Sequence, residues 1–193
     1  MTLAERLRSM LDRPAAEPPL AGDLPELRAR AAIAAAVLIA ITDGEEPGVL
    51  LTVRHENLRT HAGQIAFPGG RLEPGEEAVA AAVREANEEL GLDPALPDPV
   101  GRLEDYRTVT GFVVAPIVAV VPSGLRLAPN EPEVSHWFEA PLGFLLDRDN
   151  HKFETAVFAG RERRYWQIEW NGMRIWGATA AMIVNLSRRL QWT

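Results

Sequence analysis

Apolar and polar positions change period along the chain, and each change marks an element. Leu3, Leu7, Met10 and Leu11 recur at helical spacing, which predicts a short helix over residues 4–12. Pro14, Pro18, Pro19 and Pro25 then prevent continuation, because proline lacks the amide that an inner helical turn needs, and an irregular arm follows. The apolar run Ala31–Ile41 and the segment Gly48–Arg54 flank the turn-rich Asp43-Gly44-Glu45-Glu46-Pro47, so they read as paired strands. Thr60 to Pro68 reads as loop with a short strand at Gln64–Phe67. Helical periodicity returns from Glu77 to Leu90 and stops at Gly91, a good C-terminal cap, with Pro94 beyond.

Further strands are predicted at Pro99–Tyr106, Val113–Val121 and Val134–Glu139. Gly111, Pro122-Ser123-Gly124 and Pro129-Asn130-Glu131-Pro132 mark the loops between them. Arg164–Ile168 and Met173–Trp176 read as a hairpin about Asn171-Gly172, a pair that accepts the positive φ of a type I′ turn. Ala181, Met182, Asn185, Leu186 and Arg189 then define a closing amphipathic helix over Ala178–Leu190. Mixed strands with two or three helices imply an α/β sandwich. Residues 1–30 are expected to form a helix and proline-rich arm packing on one domain of residues 31–193.

Composition narrows the function. A chain of 193 residues with 47% hydrophobic content suffices for one well-buried core. A net charge of −7 argues against nucleic acid or an anionic membrane as partner, since both call for a basic field. The absence of cysteine excludes disulfides, thiolate metal sites and a cysteine nucleophile. The longest apolar run, Ala31 to Ile41, is well short of the roughly 20 residues of a membrane-spanning helix. The N-terminal residues alternate charged and apolar without a continuous hydrophobic segment, so a cytoplasmic protein is expected.

The chemistry concentrates between Gly70 and Leu92. At 3.6 residues per turn Glu85, Glu88 and Glu89 share one helical face, while Val79, Val83, Ala86 and Leu90 lie roughly 140° away. The acidic face is expected to meet water and the apolar one a core. Like charges at this spacing cost roughly 0.2–0.5 kcal/mol per pair unless a cation or an arginine such as Arg84 offsets them. Spacing alone is also compatible with a plain solvated acidic helix.

The surrounding frame is more specific. Gly70, Glu76 and then Arg84-Glu85-Ala86-Asn87-Glu88-Glu89-Leu90-Gly91-Leu92 resemble the signature of the Nudix hydrolases, with Ala86 small where that family usually has a larger aliphatic. Upstream, Leu50-Leu51-Thr52, Arg54, Arg59, Gly63 and Phe67-Pro68-Gly69-Gly70 are similar to the extra motif of that family's coenzyme A pyrophosphatase branch. The departure is His55, where serine or alanine is expected.

The resemblance implies a Nudix-type α/β/α sandwich with a mixed β-sheet and hydrolysis of a small-molecule diphosphate assisted by Mg²⁺ or Mn²⁺. These hard cations take oxygen ligands. Glu85 and Glu89 are the first candidates, with Glu88 binding a second ion or orienting water and the Gly70 carbonyl joining the shell. Glu76 and Arg84 are expected to support helix and loop. The general base is expected outside the signature at Glu133, with Glu131 and Glu88 as the other candidates. Arg54 and Arg59 either bind substrate phosphates or pair with nearby carboxylates. Coenzyme A or a derivative is the expected substrate, giving 3′,5′-ADP and 4′-phosphopantetheine. ADP-ribose or a dinucleotide is the rival in the same chemistry. A silent nucleotide sensor, normally marked by loss of the metal-binding glutamates, is the rival from another class. A homodimer is compatible with the chain.

Overall fold

The most apolar stretch becomes the spine of the molecule. A computed structural model describes residues 1–23, 32–58, 60–158 and 161–192. In chain order the elements begin with α1 (Leu3–Leu11), β1 (Ile33–Asp43), β2 (Gly48–Arg54), β3 (Ile65–Ala66), β4 (Gly69–Arg71) and α2 (Ala78–Leu90). They continue with β5 (Asp98–Arg102), β6 (Tyr106–Arg107), β7 (Phe112–Pro122), β8 (Val134–Pro141) and α3 (Leu142–Leu146). The last are β9 (Lys152–Phe158), β10 (Arg161–Trp170), β11 (Met173–Trp176) and α4 (Ala178–Leu190).

Side chains alternate across β1, so Ala35, Ile39 and Ile41 enter one core while Ala36, Leu38 and Ala40 enter another. A strand covered on both faces needs the unbroken apolar run that this one has. β1 runs parallel to β7 over its whole length and antiparallel to β2 and β4. The eight-stranded mixed sheet has the order β3-β2-β1-β7-β5, with β4 added to β1, β6 to β7 and β8 to β2. α2 covers one face through Ala81, Ala82 and Ala86. α1, α3 and α4 supply Leu7, Leu11, Leu142, Leu145, Ile183 and Leu186 to the core on the other. The result is an α/β sandwich with a mixed sheet.

The N-terminal segment is bound into this second layer. Thr2 and Glu5 form a reciprocal capping box that starts α1. Asn185 of α4 takes both backbone groups of Leu20, accepting from its N–H at 2.8 Å and donating to its C=O at 2.9 Å. Farther along, Asp23 accepts from the Tyr106 hydroxyl at 2.6 Å and the Val109 amide at 2.7 Å. Burial, with Asp23 beside it, pushes the Tyr106 phenol well above its ordinary pKa.

Several sequence expectations change here. The strand predicted over Pro99–Tyr106 divides into β5 and β6: Leu103 still donates to the Pro116 carbonyl of β7, and the chain then turns, with Arg102 bonded to Asp105, before pairing resumes at Tyr106. The predicted hairpin is part of a three-stranded sheet, order β11-β10-β9. Its turn is as predicted, with φ of 50° at Asn171 and 75° at Gly172 and Trp170 paired with Met173. The apolar face assigned to α2 is partly displaced: Ala86 and Leu90 are buried as expected, but Val79 is 42% exposed, whereas Ala81, Ala82 and Glu89 are buried. The small alanines let the helix lie close to the sheet, and that contact takes part of the acidic face with it. Among the described residues no helix is long and apolar enough to cross a membrane.

Candidate active site

Two glycines allow the sheet and the acidic helix to touch. Gly69 and Gly70 form most of β4, and a Cβ on Gly69 would strike the Ala36 carbonyl and Val37. One on Gly70 would collide with the Glu85 carboxylate. Glycine is required here by space, and both α2 glutamates that face the sheet lie against this strand. Glu89 is only 3% exposed and accepts the Gly69 amide through Oε2 at 3.3 Å. Burial pushes its carboxyl up to about 7 from 4.5, against the opposing pull of that amide and of Arg54, with the charges of Glu85 and Glu133 adding to the rise. Burial raises Glu85 as well, opposed by Arg84.

Arg84 organises the remaining carboxylates. Its guanidinium donates to both oxygens of Glu76 at 2.9 and 3.0 Å, to Glu85 at 3.0 Å, to Glu88 at 3.1 Å and to the Arg71 carbonyl at 3.0 Å. Planar donors in a fixed fork suit such a multiple partnership. The loop that delivers Glu76 is a tight turn over Glu73-Pro74-Gly75-Glu76, closed by a Glu76 amide to Glu73 carbonyl bond of 3.0 Å, with φ of 80° at Gly75. Glu76 also accepts the Glu73 amide, and together with Arg84 this holds its carboxyl down at about 2. The Arg84 guanidinium is raised in turn, chiefly by Glu76.

The three helical glutamates therefore diverge. Glu88 is 54% exposed at its side chain and turned to Arg84, Glu85 lies between Arg84 and Gly70, and Glu89 points inward. Among the described residues no three acidic or histidine side chains converge as a metal cage. The donors nonetheless fit a hard divalent cation. Glu85 and Glu89 bring oxygen-only ligands to one glycine strand, and Glu89 is an incompletely neutralised buried carboxylate with an arginine at 3.8 Å.

That arginine is Arg54, at the end of β2. The pairing of β2 with β8 shifts register between Val53 and Arg54, and such a bulge re-aims the side chain that follows it. Its Nη1 lies 3.8 Å from Glu89 Oε1, while its buried Nε has no hydrogen-bond partner among the described residues. Arg59 lies outside the described residues. His61, with φ of 59°, bonds to Gln64 at 2.9 Å and shapes the loop between β2 and β3.

The loop before β8 closes the site from the far end of α2. The Ala128 amide donates to the Leu90 carbonyl at 2.8 Å and the Asn130 amide to the Glu89 carbonyl at 2.9 Å, satisfying groups that a helix C-terminus leaves open. Gly91, with φ of 66°, ends the helix. This docking brings the exposed Glu133 within electrostatic reach of both Glu85 and Glu89, while Glu131 is exposed without that relation. Sequence reasoning passed over Gly69 and Asn130 as contributors. Gly69 could have been found from its place in the Phe67-Pro68-Gly69-Gly70 motif, whereas Asn130 carried only a turn signal.

Comparison with known proteins shows the family. The NUDIX domain model matches residues 32–163. NudL of Escherichia coli (strain K12), described as an uncharacterized Nudix hydrolase, is 39% identical over 157 residues, covering 81% of this chain and 82% of its own. NudL of Cronobacter sakazakii is 38% identical over the same shares. Among solved structures, the MutT protein of Methanosarcina mazei Go1 has 26% identity and a TM-score of 0.48, covering 61% of this chain and 83% of its own. The chain belongs to the Nudix hydrolase family. It is a pyrophosphatase, in a family whose members act on small-molecule diphosphates and generally use divalent metal ions.

Proposed function

We propose that the protein hydrolyses the diphosphate of coenzyme A or a coenzyme A derivative to 3′,5′-ADP and 4′-phosphopantetheine. The observation that carries this reading is Arg54. A residue of the branch motif faces the buried glutamate of the general signature, with a buried guanidinium nitrogen that has no hydrogen-bond partner among the described residues. A phosphate oxygen is the natural acceptor for such a donor, and arginine binds phosphate through paired N–H groups. Arg59 is assigned the same kind of role, towards the 3′-phosphate.

In this reading water forms a bond to one phosphorus as the bridging P–O bond breaks, the leaving phosphate takes the bonding pair, and the water proton passes to a carboxylate. Glu133 is that base, with Glu88 as the competing candidate. Glu85, Glu89 and the Gly70 carbonyl would hold Mg²⁺ or Mn²⁺, and Glu88 would serve a second ion or orient water. Such a cation would supply charge that neutralises the oxygens repelling an incoming nucleophile. Arg84 and Glu76 keep Glu85 against the glycine strand.

The test is turnover of coenzyme A against ADP-ribose with Mg²⁺ or Mn²⁺, with products identified by mass. Release of 3′,5′-ADP with a preference for coenzyme A supports the assignment. A strong preference for ADP-ribose overturns the substrate and leaves the hydrolase intact.

A further inference from the structure

Asn130 occupies a junction that the proposed chemistry does not yet use. Its amide donates to the Glu89 carbonyl at 2.9 Å, and its own carbonyl accepts from the Glu133 amide at 2.8 Å and the Val134 amide at 2.9 Å. Its side-chain Nδ2 donates to Glu133 Oε1 at 3.4 Å. One residue thus joins the last turn of α2 to both the backbone and the carboxylate of Glu133. On the other side, the His55 amide donates to the Glu133 carbonyl at 2.8 Å, which fixes the Glu133 backbone against the end of β2. The Glu133 side chain is exposed, so packing does not hold its rotamer. Among the described residues, the side-chain Nδ2 of Asn130 is the hydrogen-bond donor to its carboxylate.

We infer that Asn130 is a positioning residue, which aims the Glu133 carboxylate towards the attacking water on the Glu85 and Glu89 side of the site. This rests on the assignment of Glu133 as base. The 3.4 Å separation is at the long end for a hydrogen bond, as is common for catalytic contacts before substrate binds. The backbone bonds of Asn130 survive any side-chain substitution other than proline, so its side-chain role is separable from its place in the loop.

Asparagine and aspartate are both good turn formers, and this allows a clean discrimination. Asn130→Asp keeps shape and turn preference but removes the donor and sets a negative charge beside Glu133. Asn130→Ala removes the donor alone. In kinetics on the full chain with its best diphosphate substrate, Glu133→Gln is expected to lower kcat by roughly 100-fold or more, the usual contribution of a general base. Asn130→Ala is expected to lower kcat about tenfold at unchanged KM, and Asn130→Asp by more, approaching the loss in Glu133→Gln. In the Glu133→Gln background either Asn130 substitution is expected to add little.

Wild-type kcat in Glu133→Gln removes the assignment of the base, and the Asn130 role with it. A large loss in Glu133→Gln together with wild-type kcat in Asn130→Asp leaves the base standing and overturns the Asn130 proposal alone. So does a loss from Asn130→Ala that multiplies in full with that of Glu133→Gln, since independent effects would then be at work. Thermal unfolding of each variant, expected within a few degrees of wild type, guards against a folding defect; if either Asn130 variant is unfolded while the other is not, the folded one decides.

Discussion

The Gly69 amide donates to Glu89 across 3.3 Å, a long bond for a carboxylate that is almost wholly removed from water. Burial outweighs this bond and the Arg54 charge, and the folded protein favours the neutral acid, with a pKa of about 7 against an ordinary 4.5. Between these values the native state keeps a proton that the unfolded chain has released, so raising the pH through this window lowers stability. In chelator the wild type is expected to lose about 3 kcal/mol between pH 4.5 and 8 from this group. Denaturant melts at several pH values measure it, and Glu89→Gln is expected to flatten the slope and be the more stable protein at pH 8.

A divalent cation acts on the same group in the opposite sense. If Glu89 is a ligand, Mg²⁺ or Mn²⁺ at pH 8 will raise the melting temperature of wild type, since binding to the native state alone stabilises it. Glu89→Gln will show a much smaller rise. Equal rises in both proteins would remove Glu89 from the cation site.

Gly70→Ala tests the close approach of strand and helix. Its new methyl group meets the Glu85 carboxylate, which must move off β4. Activity is expected to fall by about 100-fold, the usual cost of misplacing a catalytic group by about an ångström. The melting temperature will change little, because Glu85 can swing outwards. Retained activity would show that Glu85 does not need this position.

Arg84→Gln removes the guanidinium that holds Glu76. Glu76 is then expected to titrate well above the present value of about 2, moving towards 4.5 although the Glu73 amide still favours its charged form, a change visible in a carboxyl-carbon NMR titration. The sign follows from the cause: a lowered carboxyl favours the native state above pH 4.5, and that advantage is lost as the pH falls towards 2. Wild type therefore has a larger acid-side dependence than the variant.

Asn185→Ala addresses the layer away from the site. Loss of both bonds to Leu20 is expected to destabilise the protein by about 2 kcal/mol in chemical denaturation. Turnover by the folded fraction will stay at the wild-type level, because Asn185 enters the core opposite α2.

Local chemistry with a fixed backbone demand was legible in the sequence. The Asn171-Gly172 turn and the Gly91 cap both follow from the need for positive φ, and the spine β1 follows from an unbroken apolar run. What escaped was decided by tertiary contact. β4 is a strand because β1 pairs with it, although two of its three residues are glycines with little strand preference. β9 carries Phe153 and Val157 outwards, 55% and 72% exposed, so no apolar-inward alternation marked it. In α2 the helical wheel brought Glu85, Glu88 and Glu89 to one face, but not how alanine contacts would tilt that face towards the sheet, burying Glu89 and leaving Glu88 in water.

Arg84 acts as a resident counter-ion for the acidic helix. Its bonds to Glu85, Glu88 and the loop carboxylate offset the mutual repulsion that would otherwise fray those turns. The helix is thus assembled before any dissolved cation arrives. Far-ultraviolet circular dichroism followed through a magnesium titration would trace a level line, with saturation visible only in calorimetry or in catalysis.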